Sequence, residues 1–217
     1  MQLIIENQVI RWLCGCLIFF NPGCIEAVKP PAAIQLSKKD SAREIIRINR
    51  AVLSVLSVNE SIQTGDLITR TGNDFTSESL RSLNRREVTY SHCGIASIEN
   101  DSVFVYHALG GEWNPDQKIR RDPLLVFAEP YSNRGIGLFQ FNISDTLKKA
   151  VANEARNHFN NGVKFDMDFD LVSNDRMYCA EFVVKTYEKG SGKLLKFAQS
   201  RIGKFAFVGV DDIFLHP

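Results

Sequence analysis

Three residues of this chain could assemble a nucleophile with its own base: Cys179, His92 and His107. Cys179 opens the amphipathic run 179–187 (CAEFVVKTY), which places it at or near the start of a predicted helix. A free thiol titrates near about 8.5, so only a few per cent is thiolate at neutral pH. The N–H groups of a helix start and a nearby imidazolium both lower that value. A histidine must come from another part of the chain, and the strand-like segments around His92 and His107 supply one each. Each of the three also has an ordinary role open to it. A cysteine on an amphipathic helix fills a core as a small hydrophobe, and a strand histidine can simply bond a backbone carbonyl.

The elements carrying the histidines read as a hairpin. Residues 91–98 and 102–108 (SVFVYHA) are rich in strand formers, and Glu99-Asn100-Asp101 supplies the turn. Side chains alternate along a strand, so His92 shares a face with Gly94, Ala96 and Ile98, and His107 with Val103 and Val105. A turn at Asn100 sets both histidines at the open end, where one imidazole can contact the other. A thiolate, a base and an orienting group would then come from three elements. The same alternation points Cys93 away from His92's face, so Cys93 is not read as the nucleophile.

Other chemistries fit less well. Asp166, Asp168 and Asp170 open like a calcium loop, but Leu171 stands where glycine is needed and Met177 where glutamate is needed. They read as turn-forming, solvated acids. His92, His107 and Cys179 have zinc-ligand chemistry, but no closely spaced ligand pair nucleates a site. No phosphate loop, nucleophile-elbow serine or HExxH helix is present. His158 and His216 read as ordinary polar residues.

Further elements follow from periodicity. A helix is predicted over 40–56, with Ile45, Ile48, Val52, Leu53 and Leu56 as its apolar face, and a polar helix over 76–85 capped by Thr76. Gly65-Asp66-Leu67-Ile68-Thr69 and 135–141 read as strands, and Asp122-Pro123 as the opening of a short helix. The clearest helix is 144–160, capped by Ser144, with Leu147, Val151, Ala155 and Phe159 at i+4 spacing. A less regular stretch covers 163–177. Gly190 and Gly192 end the cysteine helix, and a short strand (204–208) and a helical turn at Asp211 close the chain.

The N-terminus differs from the rest. Arg11 precedes the apolar run 12–20 (WLCGCLIFF), and Ala27 supplies a small residue for cleavage, so residues 1–27 read as an export signal. An uncleaved anchor or a buried helix is the alternative, and Cys14, Cys16 and Cys24 give weak lipoprotein-like boxes. Residues 28–60 are then a linker with the amphipathic helix, and 61–217 the main domain. The expected location is periplasm or cell envelope, with membrane association through the N-terminus as a variant.

Composition narrows the field. The chain has 217 residues, 44% hydrophobic and 24% charged, which suits a globular domain with its own core. Its formal net charge of +1 removes the main electrostatic reason to propose nucleic-acid binding. There is no run of 18 apolar residues, which excludes a multispanning helical protein.

The ordered set GDLI (65–68), YSHCGIAS (90–97), VFVYHA (103–108) and MYCAEFVVKTY (177–187) resembles the permuted papain-like cysteine hydrolases of the YiiX/YebB group, in the NlpC superfamily. The resemblance spans roughly residues 62–190. It implies an α+β fold, a circularly permuted papain-like sheet packed against the helix that bears the cysteine. It assigns Cys179 as nucleophile, His92 as general base and His107 as the third, orienting member. His107 stands where many such sequences have glutamate, and Cys93 replaces the usual aliphatic residue after the histidine. The implied activity is a thiol hydrolase of peptide-type amides, cell-wall peptides included, or of lipid esters or amides. Acyl transfer to another acceptor and a non-catalytic binding module on the same fold stand as alternatives. No metal or organic cofactor is implied. Glu181 reads as structural or substrate-adjacent.

Overall fold

The computed structural model describes residues 38–217. The proposed leader, its three cysteines and most of the linker lie outside the described residues. The elements in order are α1 (Lys38–Asn59), β1 (Leu67–Gly72), α2 (Phe75–Leu83), β2 (His92–Glu99), β3 (Ser102–His107), β4 (Arg120–Pro123), α3 (Leu124–Phe127), β5 (Asn133–Phe139), α4 (Asp145–Asn160), α5 (Cys179–Gly190), β6 (Ser200–Ile202), β7 (Phe205–Phe207) and α6 (Val210–Phe214).

Five strands form one antiparallel sheet in the order β4-β3-β2-β1-β5. Alternation gives the sheet two apolar faces. Leu67, Cys93, Ile95 and Tyr106 face a core completed by Val151 and Ala155 of α4 and by Cys179, Phe182 and Val183 of α5. Ile68, Ala96 and Val105 face the other way, against Leu124 and Phe127 of α3 and Val55 and Ile62 from the α1 end. Asn100 and Asp101 both take positive φ, 47° and 60°, which suits the tight turn between β2 and β3.

The helices follow local signals. Ser144 caps α4 by accepting from the Leu147 N–H at 3.4 Å. Helix α5 starts at Cys179, and the Glu181 carboxylate accepts from the Tyr178 N–H at 3.2 Å. Helices α4 and α5 pack closely because Gly190 has no side chain, and a Cβ there would sit 2.5 Å from the Val151 Cα.

Five expectations change. Helix α1 forms, but it buries Val55 and half-buries Ile48, Val52 and Val58, whereas Ile45, Leu53 and Leu56 lie on its outer side. Helix α2 is capped by Asp74, not Thr76, with Oδ1 accepting from the Ser77 N–H at 2.9 Å. Arg120–Pro123 is a strand, and the short helix begins only after Pro123. Asp166 does form turns, accepting from the Asp168 and Asp170 N–H groups at 2.9 and 2.6 Å, but it is buried rather than solvated, and Phe159, expected on the inner face of α4, is 37% exposed.

Candidate active site

The two histidines meet as the hairpin register requires. Nε2 of His92 lies 2.9 Å from Nδ1 of His107, and both rings are buried. Gly94 makes this approach possible: a Cβ there would lie 2.6 Å from Val105 Cγ1 and 2.7 Å from the Tyr106 carbonyl oxygen. Beyond His107 stands Asp122, whose Oδ2 is 3.0 Å from His107 Nε2. His107 pairs with Arg120 and Val105 with Asp122 across β3 and β4, so the contact is a diagonal one on one face. Arg120 holds the same carboxylate at 2.8 Å. Phe127 packs edge-on to His107 and also touches His92.

The chain His92–His107–Asp122 fixes the tautomers. Burial pulls Asp122 upward, but hydrogen bonds from His107 and Arg120 outweigh it and hold its pKa at about 2. Asp122 is therefore a carboxylate and can only accept, so His107 donates through Nε2–H. His107 is held neutral, chiefly by burial, which leaves its Nδ1 as an acceptor. His92 must then donate through Nε2–H and carries its lone pair on Nδ1. Burial, with the charges of Arg70, His107 and Arg120, pushes the His92 pKa well below its ordinary value. His92 is thus a neutral imidazole with a free base nitrogen.

Arg70 is the cross-strand partner of His92. Its guanidinium donates to the Phe127 carbonyl at 2.6 Å and lies 5.0 Å from the centre of that ring. Its charge also interacts favourably with Cys179.

Cys179 sits at the first helical position of α5 and is 7% exposed. Hydrogen bonding from the Cys93 thiol and from the backbone N–H groups at the helix start favours its thiolate. Together these outweigh burial and lower its pKa. The β2–β3 ladder begins at the Ile95–Tyr106 pair, so the Cys93 N–H lies beyond the last rung and is available to the sulfur. That N–H belongs to the peptide joining His92 to Cys93, which sets the thiol against the end of β2 that carries the base.

The structure thus brings Cys179 to the His92–Cys93 end of β2, and His92 to His107. It does not bond the thiol to either imidazole. Cys93 does point away from His92, as alternation predicts. Helix α5 covers that face, so Cys93 and Cys179 lie in one core cluster. Asp122 and Arg70 were missed. Asp122 was read as a helix opener before proline, and Arg70 was not singled out.

Glu181 is 1% exposed and paired with Lys185 at 2.8 Å. Burial outweighs that partner and raises its pKa to about 7. His158 pairs with Glu154 at 3.3 Å on the α4–α5 side. A cleft of about 700 Å³ on that side, lined by His158, Arg176 and Lys189, contains none of the three candidate residues.

The chain shares the fold of a YiiX protein. The crystal structure of the metalloprotein YiiX from Escherichia coli O157:H7, a DUF1105 protein, matches with a TM-score of 0.53 and 24% identity, over 66% of this chain and 73% of that one. No family model matches the chain, and no curated protein does. The word metalloprotein belongs to that neighbour. Among the described residues here, no group of three or more His, Cys, Asp or Glu side chains is placed to hold a metal ion. Nε2 of His92 and both ring nitrogens of His107 are engaged in hydrogen bonds, so no third donor joins them at one point. These residues do not fit a metal centre.

Proposed function

We propose that the chain is a thiol-dependent hydrolase of amide or ester bonds, acting through an acyl-enzyme on Cys179. The single observation that carries this reading is the oriented His92–His107–Asp122 chain on the hairpin whose β2 packs in one core with the helix that opens at Cys179. In this account the fold is the circularly permuted papain-like one, with α5 as the catalytic helix. His92 takes the Cys179 proton through Nδ1 as the sulfur attacks a carbonyl carbon. Contacts between base and nucleophile often tighten only when substrate is bound. The N–H groups around the sulfur stabilise the oxyanion. His92 then protonates the leaving group, and water releases the acyl group. His107 and Asp122 keep His92 in the tautomer the step requires.

The substrate class is a peptide-type amide or a lipid acyl bond, and the protein is exported through its N-terminal segment. N-terminal sequencing of the protein recovered from cell envelopes tests the export. The activity is tested by incubating the full chain with a panel of chromogenic amides, esters and thioesters and looking for an acyl adduct on Cys179 by mass spectrometry. The reading predicts an adduct that Cys179→Ala abolishes and that His92→Ala slows by about 10²–10⁴-fold. Acyl transfer is recognised if an added amine, not water, takes the acyl group. A second reading, a non-catalytic binding module, is favoured by the near-closure of Cys179 and the missing thiol–imidazole bond. It prevails if no member of the panel acylates the protein.

A further inference from the structure

Helix α1 has two apolar sides, and the sheet covers only one of them. Val55 is buried against the domain, with Ile48, Val52 and Val58 half-buried beside it. Ile45, Ile46, Leu53 and Leu56 lie outside that contact, each between 48% and 65% exposed. At helical spacing, Arg43 and Arg50 form a row along one edge of this outer side, and Ile46 stands between the two rows. Where α1 meets β5, a hollow of about 450 Å³ is lined by Arg43, Arg47, Arg50 and Arg134. Glu44 holds Arg47 at 2.6 Å, and Asp40 stands 3.9 Å from Arg43. Arg50 and Arg134 have no ion pair among the described residues. The helix carries five cations against two anions, although the whole chain has a net charge of only +1.

We propose that the outer side of α1, together with Arg134, is a contact surface for an anionic phospholipid bilayer. A helix of this kind lies in the plane of the membrane, with its apolar row at the acyl boundary and its cations among the headgroups. Ile45, Ile46, Leu53 and Leu56 supply the row, and leaving four such side chains together in water is the cost the contact removes. The four guanidiniums around the hollow repel one another until an anion joins them. A headgroup phosphate suits them, because the arginine fork donates paired hydrogen bonds to phosphate oxygens. Each arginine close to an anionic surface adds about fivefold to partitioning. In the sequence α1 follows the apolar run 12–20, the segment read as an export signal or anchor, so a membrane is the surface this end of the chain meets. The contact lies within the domain itself and holds it to the bilayer whatever becomes of residues 1–27.

The experiment mixes the full chain with vesicles of phosphatidylcholine alone, or of phosphatidylcholine and phosphatidylglycerol in equal parts. Arginines are then modified with a dicarbonyl reagent and mapped by mass spectrometry, so the readout is local to α1 and β5. The expected result is that the mixed vesicles shield Arg43, Arg50 and Arg134, that phosphatidylcholine does not, and that high salt removes the shielding. Arginines that stay reactive with both vesicles would overturn the proposal. If the chain nevertheless sediments with them, its attachment belongs to the N-terminal segment. Inorganic phosphate that shields the three arginines as well as the mixed vesicles do would also overturn it, because the hollow would then be a site for a soluble anion.

Two variants give the complement. Arg50→Gln combined with Arg134→Gln removes the two charges that have no ion pair, and the lipid concentration that half-shields Arg43 should rise about 30-fold. Leu53→Ser keeps every charge and should raise it at least about threefold, through the lost apolar contact. A half-shielding concentration equal to that of the wild type in either variant refutes the proposal. All three positions are exposed, and thermal melts show that the variants remain folded. None of them touches Cys179, so acyl trapping in solution stands or falls separately.

Discussion

Glu181 makes the stability of this protein depend on pH in a way that can be worked through. Its carboxyl sits 1% exposed at the start of α5, and burial raises its pKa from 4.5 to about 7 in spite of Lys185. The folded state therefore holds a proton that the unfolded state has released, between about pH 4.5 and about pH 7. Stability associated with this group is fully present below the unfolded value and is lost as pH rises through the folded one. Linkage gives a penalty of about 0.8 kcal/mol at about pH 5 and about 3.3 kcal/mol at about pH 8, a change of roughly 2.5 kcal/mol. His92 and His107, buried and neutral, act in the opposite sense at acid pH, so the wild-type profile alone is a mixture. The difference between wild type and Glu181→Gln cancels them. Urea denaturation at several pH values should show the variant gaining on the wild type by about 2.5 kcal/mol from about pH 5 to about pH 8. A difference that stays flat across that range would refute the burial argument for Glu181.

Two further outcomes follow from the site. Asp122→Asn removes the charge that fixes the His107 tautomer, and it should cost roughly 2 kcal/mol at neutral pH by denaturation. The wild-type contribution is present above the unfolded carboxyl value and lost as pH falls through about 2. The same variant should slow acylation of Cys179 at least about tenfold while leaving its alkylation rate unchanged. Gly94→Ala forces a methyl against Val105 and the Tyr106 carbonyl, so it should lower stability by about 1–3 kcal/mol and part the two histidines. A variant as stable as wild type would show that the strands do not need that approach.

Much of the fold could be read from periodicity, and the exceptions have physical reasons. The β2–β3 hairpin, α4 and the start of α5 carry strong local signals: strand formers about a turn, a serine cap with i+4 apolar repeats, and an amphipathic run. Strand β4 has none, because Arg120-Arg121-Asp122-Pro123 is charged and ends in proline, and it is ordered by pairing with β3. That strand carries Asp122, so the anchor of the histidine chain stayed hidden with it. For α1 the apolar residues outnumber those the sheet can cover, and periodicity alone did not choose between two faces. Alternation placed Cys93 correctly on the face opposite His92. Which face α5 would cover is a tertiary matter, and that choice turned Cys93 into a neighbour of Cys179.

The account's central claim is that Cys179 is an activated thiol. Its most direct test is the rate of Cys179 alkylation by iodoacetamide as a function of pH, followed by peptide mass spectrometry on the reduced full chain. Cys93 is kept in place, because its thiol helps to lower the value being measured. The account predicts an apparent pKa below the ordinary thiol value of about 8.5, and a higher one in Cys93→Ala. A wild-type Cys179 that titrates at or above that value, or that resists alkylation at every pH, would contradict it.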